Sequence, residues 1–489
     1  MTSTSTPKPI PLVSALIDKS RLAWVRLRAQ LHPRELLDEP FISTMRGMVL
    51  LFLSSLPFLP LKRRLAWLAA ASRRFETEGM LEATQGQLQP WLDQDKAEVW
   101  RRQQIGWNRY LYGFGIKDQR ALTTSLLLKE PGANGEKGVL YCSFEFNWMK
   151  LIAHHDARRV LQDYLLVGAS SWSPSDPAVL ANLCGLSDDP LFIGISHESD
   201  IAQYQLFAPD IQPLPLLACD WVDPNDFKPL PHEQRTIDIL MVSHFASWKR
   251  HWLLFEALRD MSPDLKVTLI GRYPPGRNEK LLLEEIRAFG VKQDITILTH
   301  LEIGEVNRYQ CNAKISLALS KREGSCVSVT ESMFANTPVA MMDDAHIGAR
   351  AHINTSTGRL VPRNNMARVL SDMIELSGTY NPREWAMQNI AARTSSQKLN
   401  NILKHYSEKN GKPWTRDIAP LCWRYVPRYL DSADKLRLRP GLEYLRTHHG
   451  ITLQEFVSEK HASTSKVVSI KSKVEMPAAA GQATGRRSP

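Results

Sequence analysis

Between residues 237 and 343 short apolar runs alternate with amphipathic ones, and this alternation constrains the fold more than any other feature of the chain. "IDILMVSH" (237–244), "KVTLIG" (266–271), "ITILT" (295–299), "KISLAL" (314–319) and "TPVAMMD" (337–343) have the length and apolar continuity of buried strands. "HWLLFEALRDM" (251–261), "NEKLLLEEIRAFG" (278–290) and "GEVNRYQCN" (304–312) fall between them with helical spacing. Strands that are apolar on both sides need cover on both faces, so the pattern predicts a parallel sheet sandwiched by helices. A less regular series precedes it, with strands at "GVLYCSFEF" (138–146), "DYLLVGASS" (163–171) and "LFIGISH" (191–197). The proline-rich "WVDPNDFKPLP" (221–231) joins the two. Two α/β units hinged on such a connector place a cleft between them, a common seat for a ligand.

At 489 residues the chain exceeds one ordinary domain. The reading divides it into a helical N-terminal region (1–130), a shortened first α/β unit (131–232), a second α/β unit (233–378), a C-terminal helical segment (379–457) and a disordered basic tail (458–489). The net charge of +10 favours an anionic partner, whether phosphate, an acidic membrane surface or nucleic acid. No basic stripe interleaved with aromatics supports nucleic acid. The six cysteines form no CxxC pair, which argues against a zinc site or a disulfide framework and for the reducing cytoplasm. The polar start "MTSTSTPKPIP" does not read as a signal peptide. "GMVLLFLSSLPFLPL" (47–61), followed by Lys62, Arg63 and Arg64, is too short to span a bilayer. Two readings stand for it: a buried helix, or an interfacial segment resting on the inner face of the membrane with its basic flank on anionic headgroups.

The stretch "KREGSCVSVTESMFANTPVA" (321–340) sits where a strand ends and a helix opens, the position at which parallel α/β sheets bind ligands. Free N–H groups and the positive end of the helix dipole suit a diphosphate there. Gly324 permits a close backbone approach. Glu323 lies just ahead of the helix and Glu331 within it, so two carboxylates can grip hydroxyl groups on either side of a bound diphosphate. A sugar nucleotide, with hexose, diphosphate and ribose in a row, has that layout.

The E-x7-E spacing and the following "ANTPVAMMDDAHIGARAHINTSTGRLVP" (335–362) resemble the nucleotide-binding half of retaining glycosyltransferases of the GT-B fold, glycosyltransferase family 4 in particular. "MVSHFASWKRHWLLFEAL" (241–258) and "WVDPNDFKP" are similar to that half's opening strand, loop and helix and to its linker. The resemblance implies two Rossmann-like domains facing a cleft, and a metal-independent transfer of sugar from a nucleotide sugar to a glycan or lipid-linked acceptor. It implies no cofactor. By the same resemblance Glu323 contacts the donor sugar, the backbone of Gly324, Ser325, Cys326 and Val327 binds sugar and phosphate, and Glu331 takes the ribose. Lys249, with Arg250 beside it, neutralises diphosphate charge. Where the family pairs that lysine with an arginine, this chain has His244. Glu145 and Asn147, at a strand end in the first unit, are the expected acceptor contacts. The alternative is a pseudo-glycosyltransferase or membrane-docked scaffold that binds without turnover.

Overall fold

The computed structural model describes residues 11–31, 36–37, 39–75, 78–92, 120–173, 175, 177–424, 426–453 and 466–470. Helices α1 (Pro11–Gln30), α2 (Pro40–Ser55), α3 (Leu61–Ser72) and α4 (Glu78–Leu92) open the chain. The expected helical stretch at 93–112 lies outside the described residues. The first sheet contains β1 (Ser125–Lys129), β2 (Gly138–Ser143), β3 (Tyr164–Ala169), β4 (Leu191–Ile195) and β5 (Ile211–Leu217), in that spatial order. β1 runs antiparallel to β2, and the remaining pairs are parallel. Helices α5 (Glu145–His154), α6 (Ala157–Asp163), α7 (Pro177–Leu183) and α8 (Asp200–Phe207) connect the strands.

The second sheet is built from β6 (Ile237–Val242), β7 (Lys266–Gly271), β8 (Asp294–Thr299), β9 (Ala313–Ala318), β10 (Val339–Met342) and β11 (Gly358–Val361). Its spatial order, β11-β10-β9-β6-β7-β8, reverses direction between β6 and β9. That reversal opens a crevice at the carboxyl ends of those two strands, where ligands of doubly wound sheets bind. The intervening helices are α9 (His251–Leu258), α10 (Glu279–Phe289), α11 (Ile303–Cys311) and α12 (Val327–Phe334). Local chemistry fixes their ends. Asn278 Oδ1 accepts the Leu281 N–H at the start of α10, and Gly290, at φ 72°, closes it. Buried Arg235 donates to the carbonyls of Ala313 and Ala335 and to Thr337 Oγ1, tying the start of β9 to the end of α12.

Beyond β11 come α13 (Met366–Glu375), α14 (Pro382–Asn389) and α15 (Ala392–Lys409). The segment expected to be helical also contains a hairpin, β12 (Leu421–Arg424) and β13 (Val426–Tyr429), before α16 (Ser432–Arg437) and α17 (Arg439–His449). This stretch returns to the first unit. Leu399, Leu403 and Trp423 share a core with Val139, Val167 and Phe192, and Tyr429 Oη donates to the Leu127 carbonyl. Within the tail read as disordered, Lys466–Ile470 forms β14, antiparallel to β8; an unpaired sheet edge supplies the hydrogen bonds that order it.

The N-terminal helices straddle both units. α1 packs on α10, where Arg21 pairs with Glu284, and Gln30 donates to Glu256 on α9. α3 and α4 form a small core of their own, and Gln85 donates to the Leu206 carbonyl at the end of α8.

Candidate functional site

The loops after β6 and β9 meet at the topological reversal. The first turns through a 3-10 segment, Ser247–Lys249, and enters α9 with Arg250 in the left-handed region at φ 51°. The second runs from Ser320 through Glu323 and Gly324 to Cys326, also left-handed at φ 55°, and opens α12. Lys249 Nζ and Glu323 Oε1 lie 2.6 Å apart, with the two side chains only 14% and 12% exposed. Two residues 74 positions apart in sequence thus form one nearly buried ion pair at the crevice. Beside them the Ser325 Oγ is buried and has no hydrogen-bond partner. A hydroxyl so placed is an unmet donor and acceptor that a polar ligand or a water can satisfy. Burial, and then the Glu323 carboxylate, push the Cys326 thiol up to about 12, so it is a neutral packing group.

A cavity of about 210 Å³ lies over this loop, between the two units. Glu323, Gly324, Ser325, Cys326 and Val327 form its floor; Ser170, Ser171 and Trp172 after β3, Tyr141 in β2 and Phe144 just after it, and Trp423 of the returning hairpin form its walls. Phe144 and Trp423 meet edge to face at 5.3 Å. The units approach closely here. A Cβ on Gly324 would fall 2.5 Å from the Ser171 carbonyl oxygen, and one on Gly348 would fall 2.0 Å from that of Ser196. The close approach expected of Gly324 is therefore made by the facing unit's backbone. Behind the loop, the rings of His197 (after β4) and His346 (after β10) stack at 3.9 Å. His346 Nε2 lies 2.8 Å from Ser173 Oγ, which donates to buried Asp200.

Several expected site residues occupy other roles. Arg250 makes a two-point contact with Asp344, at 3.1 and 2.9 Å, and its side chain is only 5% exposed. It braces two strand-end loops and does not point a free charge at a donor. Glu145 is buried at the start of α5, where its carboxylate accepts from the Ser171 N–H and, at 2.6 Å, from the Ser171 hydroxyl. It holds the cavity wall in place. Asn147 is fully buried; its amide donates to Thr124 Oγ1 and the Ser143 carbonyl and accepts from the Thr123 N–H. With every polar atom engaged it has nothing left for an acceptor. Glu331 is half-buried and accepts from Gln310 Nε2 at 3.4 Å, outside the cavity lining.

His244 is exposed, and its pKa is lowered by partial desolvation, then by Lys249 and Arg272. The second of these cations is a residue that the sequence reading missed. Arg272 follows Gly271 at the end of β7, and its carbonyl accepts the Phe245 N–H at 3.0 Å. Gly271 permits this contact, since a Cβ there would fall 2.0 Å from the Ser243 carbonyl oxygen. The signal was an arginine just past a strand end, in "VTLIGR". Trp172 and Trp423 were missed as well; "ASSW" after a strand was legible, whereas the hairpin's return was not. Among the described residues, Cys219, Asp220 and His352 bring metal-ligand types of atoms within 4.8 Å of one another. They lie buried where the connector enters the second unit, with His352 Nε2 2.6 Å from Asp220 Oδ1.

No curated protein matches the chain. Among solved structures, sucrose-phosphate synthase from Thermosynechococcus elongatus is similar at 15% identity over 55% of this chain and 74% of that one, with a TM-score of 0.44. Anabaena Alr3699/HepE in complex with UDP and glucose is similar at 15% identity over 55% and 78%, with a TM-score of 0.43. The pneumococcal O-GlcNAc transferase GtfA in complex with UDP and GlcNAc aligns at 14% identity over 52% and 54%, with a TM-score of 0.39. The second unit, with its connector and the first returning helix, matches at residues 222–389 the family model described as glycosyl transferases group 1.

Proposed function

We propose that the protein transfers a sugar from a nucleoside-diphosphate sugar to a hydroxyl of a glycan or lipid-linked acceptor, with retention of configuration. The observation that carries this reading is the Lys249–Glu323 pair at the reversal between β6 and β9, beside the unpartnered Ser325 hydroxyl. The family match over 222–389 supports it. Glu323 accepts hydrogen bonds from donor-sugar hydroxyls, and its departure to the sugar frees Lys249 for the diphosphate. The N–H groups that open α12 hold phosphate oxygens. Glu331 exchanges its Gln310 contact for the ribose. As the bond from the anomeric carbon to phosphate oxygen breaks, the electron pair stays on that oxygen. Lys249, with Arg272 at the neighbouring strand end, stabilises the charge. The acceptor oxygen bonds to the anomeric carbon on the same face, and its proton passes to the departing phosphate. This chemistry calls for no resident metal: of the acidic doublet Asp343–Asp344, Asp344 is committed to Arg250. Trp172, Trp423 and Phe144 offer apolar and stacking surface to the acceptor.

One observation favours a second reading, binding without turnover. His244 stands where the resembled family has an arginine, and its lowered pKa keeps it neutral near pH 7. The test is calorimetry and thermal shift of the purified chain against a panel of nucleotide sugars, UDP and GDP, repeated on Glu331→Ala and Lys249→Ala. One nucleotide sugar should stabilise the wild type, with affinity falling tenfold or more in each variant. Release of diphosphate and NMR of the product anomer then separate a retaining transferase from a binding protein. A well-folded chain that binds no nucleotide sinks both readings.

A further inference from the structure

The described structure has eighteen exposed large apolar side chains, and twelve of them fall between Trp24 and Phe58. On α2, Phe41, Met45, Met48, Val49 and Phe52 recur at helical spacing and form one continuous outward stripe; Phe41 and Phe52 are 77% and 64% exposed. Phe58, in the turn beyond the helix, extends it at 78%. Apolar patches of this extent mark interaction surfaces. The opposite face of α2 is already occupied: Gly47 and Ser54 are buried, and a Cβ on Gly47 would strike the Phe75 ring at 2.5 Å. The stripe is thus not the unfilled half of the small helical core.

The surroundings specify the occupant. Arg46 lies on α2 itself, and exposed Arg63 follows the turn that carries Phe58, at the start of α3. Apolar side chains flanked by arginine fit a surface that is apolar within and anionic at its edge. No described helix is long and apolar enough to cross a membrane, so contact is made in the plane of the interface. Glu39, at the N-terminal end of α2, pairs at 2.7 Å with Lys321, two residues before Glu323. The stripe is therefore anchored to the loop that carries the sugar-binding carboxylate.

We propose that α2 and the turn at Phe58 seat this protein on an anionic lipid bilayer, with the α2 stripe at the boundary of headgroups and acyl chains and the arginines on lipid phosphate. This deepens the reading above by naming a membrane-borne acceptor, yet the contact itself does not depend on nucleotide binding. The experiment is flotation of the full chain with vesicles of phosphatidylcholine alone or mixed with phosphatidylglycerol. The chain should float with the mixed vesicles, about tenfold more weakly with phosphatidylcholine alone, and less in high salt. The triple variant Phe41→Ser/Phe52→Ser/Phe58→Ser should lose about a hundredfold in vesicle affinity. Arg46→Gln/Arg63→Gln should lose about fivefold per charge and most of the salt dependence. Calorimetry of the same variants with nucleotide sugar should be unchanged, which keeps this test separate from that of the donor site. Wild-type protein that ignores both vesicles, whether monomeric or paired through the stripe, overturns the proposal. So does a triple serine variant that floats like the wild type.

Discussion

At the residue scale, the positive charge at the crevice depends on two neighbouring strand ends. His244 is neutral near pH 7, and Arg272, one strand over, presses on the same imidazole as Lys249. Arg272→Ala should therefore lower turnover by about a hundredfold with little change in melting temperature, as loss of one donor to a developing charge does elsewhere. His244→Arg in that background should recover a substantial part of it. A variant pair that shows no such rescue removes Arg272 from the site. Glu323 could be singled out in the sequence because it stands between a strand end and a helix start, and Lys249 because the stretch around it resembles a known family. Arg250, Glu145 and Asn147 stand at similar places and yet serve the scaffold. Every one of these residues has a partner distant in sequence. What separates the groups is which partner it is, Asp344, Ser171 or Thr124 for the second and each other across the crevice for Lys249 and Glu323, and no local pattern encodes that.

At the element scale, the two sheets present their strand ends to each other with glycine at the closest points. Gly348→Ala places a methyl against the Ser196 carbonyl, a contact that backbone cannot relieve without moving the units apart. The cost should be about 1–3 kcal/mol of stability in chemical denaturation, as for overpacking elsewhere. Donor affinity should also drop, because the cavity floor and walls separate. An unchanged melting curve would mean that the units sit further apart in solution. The central strands, β6 to β10, were legible because burial on both faces leaves an apolar run. The edge strands were not. β5 carries Pro213 and Pro215, which an edge tolerates and a sequence reader takes for a loop. β1 is likewise a short piece whose pairing is decided by the sheet it joins, and β12 and β13 are short pieces that pair only with each other.

At the scale of the whole molecule, the seam between the units includes the stacked imidazoles of His197 and His346. Burial first, then Arg322 and His197, bring His346 down to about 3; burial also lowers His197, with Arg322 and Arg350 adding to the effect and Glu198 opposing it. Wholly buried His251 is likewise held at about 3. An unfolded chain takes up these protons near pH 6.5 and the folded chain does not, so stability declines as pH falls from there toward 3. Asp200 opposes this. Burial raises it to about 7, so the folded chain takes its proton early and gains as pH falls from 7 to about 4. With one carboxyl against three imidazoles the net effect is loss, at most about 1.4 kcal/mol per pH unit for each uncompensated ring. Melting temperature should therefore drop between pH 7 and 4.5, and His346→Gln should flatten that profile; a wild-type curve that stays level would contradict the neutral stack. The cores joining the two ends of the chain carry a different consequence. Leu128, Val139 and Phe192 are completed by Leu399, Leu403 and Trp423, more than 200 residues later. During synthesis the first sheet to leave the ribosome must wait, its apolar face uncovered, until nearly the last of the chain arrives. The unit made first is still uncovered when strands β6 to β11 of the second have all been made.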